Sequence, residues 1–305
     1  MNFKKDFFTS SDGKTAISYK IYAPENPKAV IQLSHGMCEY VERYAPHAEF
    51  FASMGFVFAG NDHLGHGDSA KSPSDLGYTV SADLLVEDVH KMTEILKSEY
   101  KDLPVFLLGH SMGSFIAREC ITKYGSDYKG VIISGTAGAG NPTALGKTLC
   151  KLIAAFKGDT HRSPLVKSIS TGSYSKKFGK NAPASSWVTS NVAIREKYDA
   201  DPLCNYTFTL NGYYNMFDLL GRVSKKTWAS SVPKDLPIIL VSGADDPVGG
   251  VKGTTDVYEK LRSAGVYDLR IELFEGARHE LLNETEPIRD KTYEILTDWI
   301  NERIK

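Results

Sequence analysis

Six short apolar runs, separated by segments long enough to form helices, limit this chain to few folds. The runs are apolar on both faces, which is the pattern of buried strands in a parallel sheet that helices cover on both sides. They lie at 29–36, 55–62, 105–111, 130–136, 237–243 and 269–276, with helical patterns near 42–54, 83–100, 112–124, 252–264 and 286–304. The sequence therefore predicts an α/β fold with a mostly parallel central sheet.

The pattern changes at two places. The first thirty residues alternate in period two around Asp12-Gly13, which predicts an antiparallel hairpin at the edge of the sheet. Between about 137 and 220 no convincing strand occurs, and the stretch is rich in Lys, Ser, Tyr and Phe. We therefore predict a core made of 1–136 and 217–305, and a helical insertion at 137–216 that covers the carboxyl edge of the sheet.

The charge, the apolar stretches and the cysteines of the chain indicate which partners and which compartment to expect. The formal net charge is −1, so nothing favours electrostatic binding of nucleic acid or of an anionic membrane. The first residues include lysines but no apolar leader, and no stretch is apolar for long enough to span a bilayer. Four cysteines are widely spaced and form no CxxC pair, which indicates reduced thiols. These features predict a soluble cytoplasmic protein.

A serine stands between two glycines where a strand is expected to meet a helix. The segment LLGHSMGSFIA, residues 107–117, places Ser111 between Gly109 and Gly113. A sharp turn from strand to helix strains its corner residue, and side chains two positions away on either side would collide with the neighbouring backbone. Ser111 would stand at the tip of this turn, at the positive end of a helix. This context predicts a nucleophile.

A serine nucleophile needs a base, and the base needs an acid to hold it. In this arrangement the acid and then the histidine follow the serine along the chain, each after a strand. The fifth apolar run is followed by Asp245 and Asp246, and the sixth by His279. We predict His279 as the base and Asp246 as the acid, with Asp245 as the alternative.

The oxyanion of an acyl-transfer intermediate needs two N–H donors that are fixed in advance. Met112 would supply one at the start of the predicted helix. The loop after the first apolar run, SHGMCEY, would supply the other from Met37, since Gly36 lets the backbone approach closely.

Two further motifs are compatible with cofactors, and we assign neither. The stretch GNDHLGHGDS, residues 60–69, lacks the ligand spacing of a di-zinc hydrolase. The glycines of GTAGAG, residues 135–140, lack the third glycine of a dinucleotide loop. We predict no metal and no organic cofactor.

Together these segments resemble the α/β-hydrolases, and within them the monoacylglycerol lipase and lysophospholipase group, also labelled serine aminopeptidase-like. The matching segments are SHGMCEYVERY, NDHLGHGDSA, LLGHSMGSFIA, SGADDPVG and EGARHELLNE. The resemblance implies a Ser111, Asp246 and His279 triad, an oxyanion hole at Met37 and Met112, and a cap at 137–216. The chain departs from the commoner pattern at Ser114 and at Met37-Cys38, beside the expected acyl site.

Aromatic residues in the cap are candidates for an acyl-chain channel, because pockets for apolar ligands are mostly aromatic and aliphatic. The alternative is that they form the core of the cap itself. The candidates are Tyr206, Phe208, Tyr213, Tyr214, Met216 and Phe217.

The combined prediction is a serine carboxylic-ester hydrolase that forms an acyl-enzyme and acts on a small ester or a lipid-like substrate. The cap would allow transient contact with a membrane or micelle. Three alternatives keep the fold: a serine aminopeptidase, an acyltransferase or perhydrolase with the same triad, and a non-catalytic binding module.

Overall fold

The central sheet has eight strands in the spatial order β1-β2-β4-β3-β5-β6-β7-β8. The computed structural model describes residues 1–304. The strands β1 and β2 form the antiparallel edge hairpin, β2 pairs antiparallel with β4, and the other neighbours are parallel. Their bounds are Asn2–Thr9, Ala16–Ala23, Ala29–Ser34, Phe56–Asn61, Val105–His110, Gly130–Ser134, Ile238–Gly243 and Leu269–Phe274. The predicted mostly parallel α/β sheet and its edge hairpin are confirmed.

Helices cover both faces of the sheet. In chain order, α1 to α9 are Ala45–Ser53, Ala82–Glu99, Met112–Tyr124, Thr143–Lys157, Pro164–Ser170, Val192–Ala200, Leu210–Val223, Gly250–Ser263 and Glu286–Arg303. Side chains of α2, α3 and α8 share one apolar cluster with the sheet, and those of α1 and α9 share another. Every residue of strands β3 to β7 is therefore buried.

The stretch between β6 and β7 is helical, as its lack of strand pattern indicates. Helices α5, α6 and α7 begin after Ser163, Asn191 and Thr209, whose side chains each accept a hydrogen bond from a backbone N–H of the first turn. The predicted end of the insertion, residue 216, lies within α7. We call residues 137–216 the cap. The division of the chain into this cap and a core of 1–136 and 217–305 remains a prediction.

The parallel strands end at one edge of the sheet, and the candidate site residues follow them there. Met37 comes after β3, Ser111 after β5, Asp246 after β7 and His279 after β8. Since the carboxyl ends of neighbouring parallel strands meet, residues far apart in sequence come together beneath the cap. Along residues 1–304, no helix combines the length and apolarity that crossing a membrane would require.

Candidate active site

Ser111 occupies a strained turn between β5 and α3. Its backbone has φ of 54° and ψ of −123°, a left-handed conformation that a residue with a side chain rarely adopts. The surroundings hold it in place, since Ser111 N donates to Ser134 O at 3.0 Å. A Cβ atom at Gly113 would overlap the carbonyl oxygen of Ser34, so this position requires glycine. Tight packing of α3 against β3 thus fixes the turn that presents the Ser111 hydroxyl.

Two backbone amides lie beside Ser111. Met112 is the first residue of α3, so its N–H has no acceptor within the helix. The loop after β3 comes so close that a Cβ at Gly36 would lie 2.9 Å from Ser111 Cβ. Met37 follows in that loop and lines the same cavity as Ser111 and Met112. This is the arrangement in which both predicted donors could bind an oxyanion.

His279 follows β8 and binds Asp246. Its Nδ1 lies 2.9 Å from Asp246 Oδ2, and both side chains are buried. The other oxygen, Asp246 Oδ1, accepts a hydrogen bond of 2.8 Å from Val248 N. The neighbouring Asp245 has a side chain that is 46% exposed and pairs with Lys177 at 3.2 Å. Of the two adjacent carboxylates, only Asp246 therefore contacts the histidine.

The environment of His279 favours its protonated form. Burial lowers the pKa of the imidazole, but the charge and hydrogen bond of Asp246 outweigh this, so the pKa of His279 lies above its ordinary value. Its Nε2 atom is buried and makes no hydrogen bond within the described chain. Both His279 and Ser111 line one cavity, where Nε2 is available to accept a proton.

A buried ionic cluster supports the loop that follows β3. Arg43 donates from Nη1 and Nη2 to the two carboxylate oxygens of Glu280, at 2.7 and 2.6 Å, and from Nη1 to Glu39 at 2.9 Å. Glu39 in turn accepts a hydrogen bond from Gly36 N. Burial alone would raise the pKa of Glu280, but the Arg43 guanidinium lowers it to about 2. The cluster thus connects the loop that carries Met37 to the residue that follows His279.

Three histidines pack together behind this loop. The ring centroid of His35 lies 4.1 Å from that of His63 and 5.2 Å from that of His66. Burial lowers the pKa of His63 to about 3 and that of His66 to about 4, so all are neutral near pH 7. Within residues 1–304, no group of three or more His, Cys, Asp and Glu side chains is arranged to hold a metal ion. The GNDHLGHGDS stretch thus contributes packing to the site.

Neutral buried histidines make the fold sensitive to acid, and we expect stability to fall below about pH 6.5. The unfolded chain binds protons with a histidine pKa near 6.5. Burial lowers the folded-state pKa of five histidines, so the unfolded chain takes up more protons as the pH falls. Each such histidine then costs up to about 1.4 kcal/mol per pH unit. The five are His35, His47, His63, His66 and His110.

Urea unfolding at pH 7.5 and pH 5.5 measures this loss. His47 offers a matched variant, because its two ring nitrogens lie 2.6 Å from Tyr293 Oη and 3.0 Å from Asn283 Oδ1. The His47→Gln variant should lose less stability than wild type between the two pH values. Equal stability of the wild type at both would contradict the expectation.

A cavity of about 90 Å³ lies above Ser111, between the sheet edge and the cap. Of the six predicted substrate-contacting residues, Met216 and Phe217 line it. Tyr214 lines a separate surface cavity. Tyr206, Phe208 and Tyr213 do not line the main cavity, because their rings pack on each other at 6.0 and 5.7 Å, and Phe208 also packs against His66. These three side chains join the cap to the core.

The structure adds site residues that the sequence analysis does not identify. Phe115, Leu220 and Val248 contribute apolar surface to the cavity, and Trp187 and Tyr174 contribute aromatic surface from the cap. The Glu39 and Arg43 pair, four residues apart in SHGMCEYVERY, is a signal that could indicate the buried cluster. For Trp187 the sequence carries no such signal.

Comparison with known proteins finds relatives along most of the chain. The family model described as serine aminopeptidase, S33, matches residues 25–286. A monoglyceride lipase homolog of monkeypox virus is 28% identical over 283 residues, which are 92% of this chain and 91% of the viral protein. A monoacylglycerol lipase of Mycolicibacterium smegmatis is 26% identical over 298 residues, 94% of each chain.

A similar solved structure is that of a highly thermostable carboxyl esterase from Bacillus coagulans in complex with glycerol. It superposes with a TM-score of 0.93 at 29% sequence identity, and the match covers 100% of both chains. The similarity therefore extends over the sheet, the surrounding helices and the cap.

Proposed function

The chain belongs to the serine aminopeptidase S33 family of α/β-hydrolases, and we propose that it hydrolyses carboxylic esters through an acyl-enzyme on Ser111. One observation carries this proposal above all. Ser111 lies at a strained turn and shares an apolar cavity with His279, whose Nδ1 is held by Asp246. This arrangement suits acyl transfer with Ser111 as the nucleophile, His279 as the base and Asp246 as the acid.

Acylation begins with attack of Ser111 Oγ on the ester carbonyl carbon, while His279 Nε2 takes the hydroxyl proton. The carbonyl oxygen becomes an oxyanion and accepts hydrogen bonds from Met37 N–H and Met112 N–H. Collapse of this intermediate breaks the bond to the alcohol oxygen. His279 gives its proton to that oxygen, so the alcohol leaves neutral and the acyl group stays on Ser111.

Deacylation repeats these steps with water. His279 removes a proton from a water molecule, whose oxygen attacks the acyl carbon, and the same two amides bind the second oxyanion. The bond to Ser111 Oγ then breaks, and His279 returns the proton to the serine. The products are a carboxylic acid and the free enzyme.

The cavity supports a short acyl chain. Its apolar part is lined by Phe115, Phe217, Leu220 and Val248, which suit a hydrocarbon. Its volume of about 90 Å³ is smaller than the roughly 150 Å³ of an engineered cavity that binds benzene. A long acyl chain would require the cap helices to move apart.

The charges around the cavity favour an ester over the N-terminal peptide of an aminopeptidase. An aminopeptidase needs a carboxylate that is available for the substrate ammonium group. The two carboxylates that line this cavity, Glu39 and Glu280, both bind Arg43. Breaking such buried ion pairs is costly, so the cavity offers an amine no free acidic partner.

A substrate panel tests this proposal: p-nitrophenyl esters from acetate to palmitate, monoacylglycerols and aminoacyl anilides. We expect turnover of esters with an optimum at short acyl chains of about four carbons or fewer, and kcat/KM for anilides lower by roughly 100-fold or more. Turnover of anilides alone would replace ester hydrolysis by peptidase activity. Added glycerol or hydrogen peroxide tests the transferase and perhydrolase alternatives, since new esters or peracids would replace the free acid.

The outer face of the cap supports contact with an anionic lipid surface. Residues 137–216 carry ten Lys and Arg against four Asp and Glu, a net charge of +6, whereas the remainder carries 26 against 33, a net charge of −7. Large apolar side chains are exposed between the lysines, and Phe156 is 88% exposed. Apolar groups interspersed with lysines bind at negatively charged interfaces. The other exposed apolar residues there include Leu145, Leu152, Leu165 and Ile169.

Hydrolysis of a substrate held in lipid vesicles tests this contact. Monoacylglycerol in phosphatidylglycerol vesicles should be hydrolysed faster than in phosphatidylcholine vesicles, and the difference should shrink in Phe156→Ser. The matched control is Phe7→Ser, because Phe7 is 50% exposed but lies on the edge strand β1. Equal rates on both vesicles would contradict the contact.

We further assign the protein to a reducing compartment, the cytoplasm. Its four cysteines are buried and unpaired: Cys38, Cys120, Cys150 and Cys204. Secreted proteins more often carry disulfides, so four free thiols support this assignment.

A further inference from the structure

One segment of the cap is bound to the loop that carries His279. The backbone N–H groups of His279 and Glu280 donate to the carbonyl oxygens of Trp187 and Val188, at 3.3 and 2.8 Å. Arg278 Nη1 donates to Ser186 O at 2.5 Å, and its guanidinium also reaches Thr189 O at 3.2 Å. The histidine loop and this cap segment thus share a ladder of hydrogen bonds.

Side chains extend the attachment beyond this ladder. Thr189 Oγ1 donates to Asn283 O at 2.8 Å, and Ser190 N donates to both carboxylate oxygens of Glu284 at 3.1 Å. Glu284 also accepts a hydrogen bond from Arg278 N at 2.8 Å. Residues 185, 186, 188 and 189 are buried, unlike most of the cap before them. The segment 185–190 therefore packs as part of the histidine loop.

This attachment places the indole of Trp187 against the imidazole of His279. The two ring centroids lie 4.9 Å apart at an interplanar angle of 45°. Tyr174 contacts the indole edge-on, with centroids 5.2 Å apart. His110 contacts the same imidazole at 4.8 Å. Two rings thus contact the proposed base, His110 from the core and Trp187 from the cap.

We propose that Trp187 is a positioning residue for His279, in that its indole keeps the imidazole in the orientation that faces Asp246 and stabilises the imidazolium formed during acylation. The inference rests on the proposed ester hydrolysis, in which His279 is the base. A cation within about 6 Å of an indole centroid is attracted by the ring quadrupole, and burial strengthens the attraction. The indole has no group that titrates between pH 5 and 9, so it stays neutral at every working pH.

Other groups also act on the charge of His279. Asp246 binds Nδ1, and Glu280 and Glu39 lie near enough to favour the protonated form. Burial, together with the charge of His279, lowers the pKa of His110 to about 3, so His110 is neutral across the working pH range. The three carboxylates are held by Val248 N, Arg43 and Gly36 N and not by the indole, so we expect a change in the titration of the base to report on Trp187.

The experiment compares wild type with Trp187→Leu and Trp187→Phe across pH 5 to 9. Two rates are measured: kcat/KM for p-nitrophenyl acetate, and inactivation by diethyl p-nitrophenyl phosphate, a small reagent that reports on the serine and its base. In Trp187→Leu we expect the apparent pKa of the base to fall by about 0.5 to 1, and both rates at their plateau to fall about tenfold. Trp187→Phe should recover most of both effects, since it keeps a ring.

The control is Phe178→Leu, which removes another aromatic ring of the cap. Phe178 lies 4.2 Å from the Arg278 guanidinium and has no ring contact with His279, so its loss perturbs the same region without touching the base. Thermal unfolding of each variant separates misfolding from loss of positioning.

Different results would overturn the role of Trp187 and the proposed function. An unchanged apparent pKa in a folded Trp187→Leu variant, or an equal change in Phe178→Leu, would overturn the inference. Wild type that neither cleaves esters nor reacts with the phosphate at Ser111 would instead overturn the proposed function.

Discussion

The Ser111→Ala variant is expected to lose about 10⁶-fold in kcat for ester hydrolysis, because no other group can form the acyl-enzyme. The fold should remain intact. Alanine keeps the Cβ that the turn already accommodates at φ of 54°, and it preserves the hydrogen bond from residue 111 N to Ser134 O. The measurement is p-nitrophenyl acetate hydrolysis, together with the mass of the protein after treatment with diethyl p-nitrophenyl phosphate.

Ser114 provides the matched control, one turn further along α3. Its hydroxyl donates to Ser111 O at 2.6 Å and contacts Thr136 Oγ1 at 2.8 Å, so it is occupied in holding the turn. We expect Ser114→Ala to stay within about tenfold of wild type. A labelled, active Ser111→Ala variant would show that the nucleophile lies elsewhere.

The hydrophobic pattern of the sequence predicts most of the strands of the core, because nearly all of their residues are apolar. Strands β3 to β7 are buried on both faces, so each appears in the sequence as a short apolar run. Strand β8 is recognisable as LRIELFEG although each of its residues is only partly buried. The end of the insertion is harder to place, because α7 carries one apolar face continuously from the cap into the core.

The site residues divide into those with a local signature and those without one. Ser111 has such a signature, since close packing around its turn requires glycine at 113. The buried cluster is only partly visible in the sequence: Glu39 and Arg43 are four residues apart, but Glu280 lies 237 positions after Arg43, and no local pattern joins these two. Trp187 meets His279 because backbone groups pair, and backbone pairing leaves no trace in side-chain type. Such contacts can be found only from the folded structure.

The sequence alone does not decide between Asp245 and Asp246 as the partner of His279, whereas the fold brings only Asp246 to it. Asp246 N donates to Gly243 O at 3.2 Å, and this tight turn after β7 directs successive side chains apart. One carboxylate is buried against His279, and the other reaches Lys177 in the cap at the surface. The exposed pair contributes little to stability, because solvent screens it. The two positions therefore differ sharply in what their replacement should do.

Asp246→Asn is expected to lower kcat about 10⁴-fold, while Asp245→Asn stays near wild type. Asn is nearly isosteric with Asp, so the hydrogen bond of 2.8 Å from Val248 N can be kept by the amide oxygen. The amide nitrogen then faces His279 Nδ1 and donates to it, which leaves the imidazole proton on Nε2. In that tautomer Nε2 cannot accept the serine proton, and no carboxylate stabilises the imidazolium.

The two variants should be compared at equal pH with p-nitrophenyl acetate, with their folding checked by thermal unfolding. Because Asp245 contacts the cap and not the base, its loss should alter KM at most. A large fall in kcat for Asp245→Asn, with Asp246→Asn close to wild type, would assign the acid to the exposed carboxylate. A large fall in both would mean that the Lys177 pair holds the cap in its working position, since Asp245 contacts the cap and only Asp246 contacts the base.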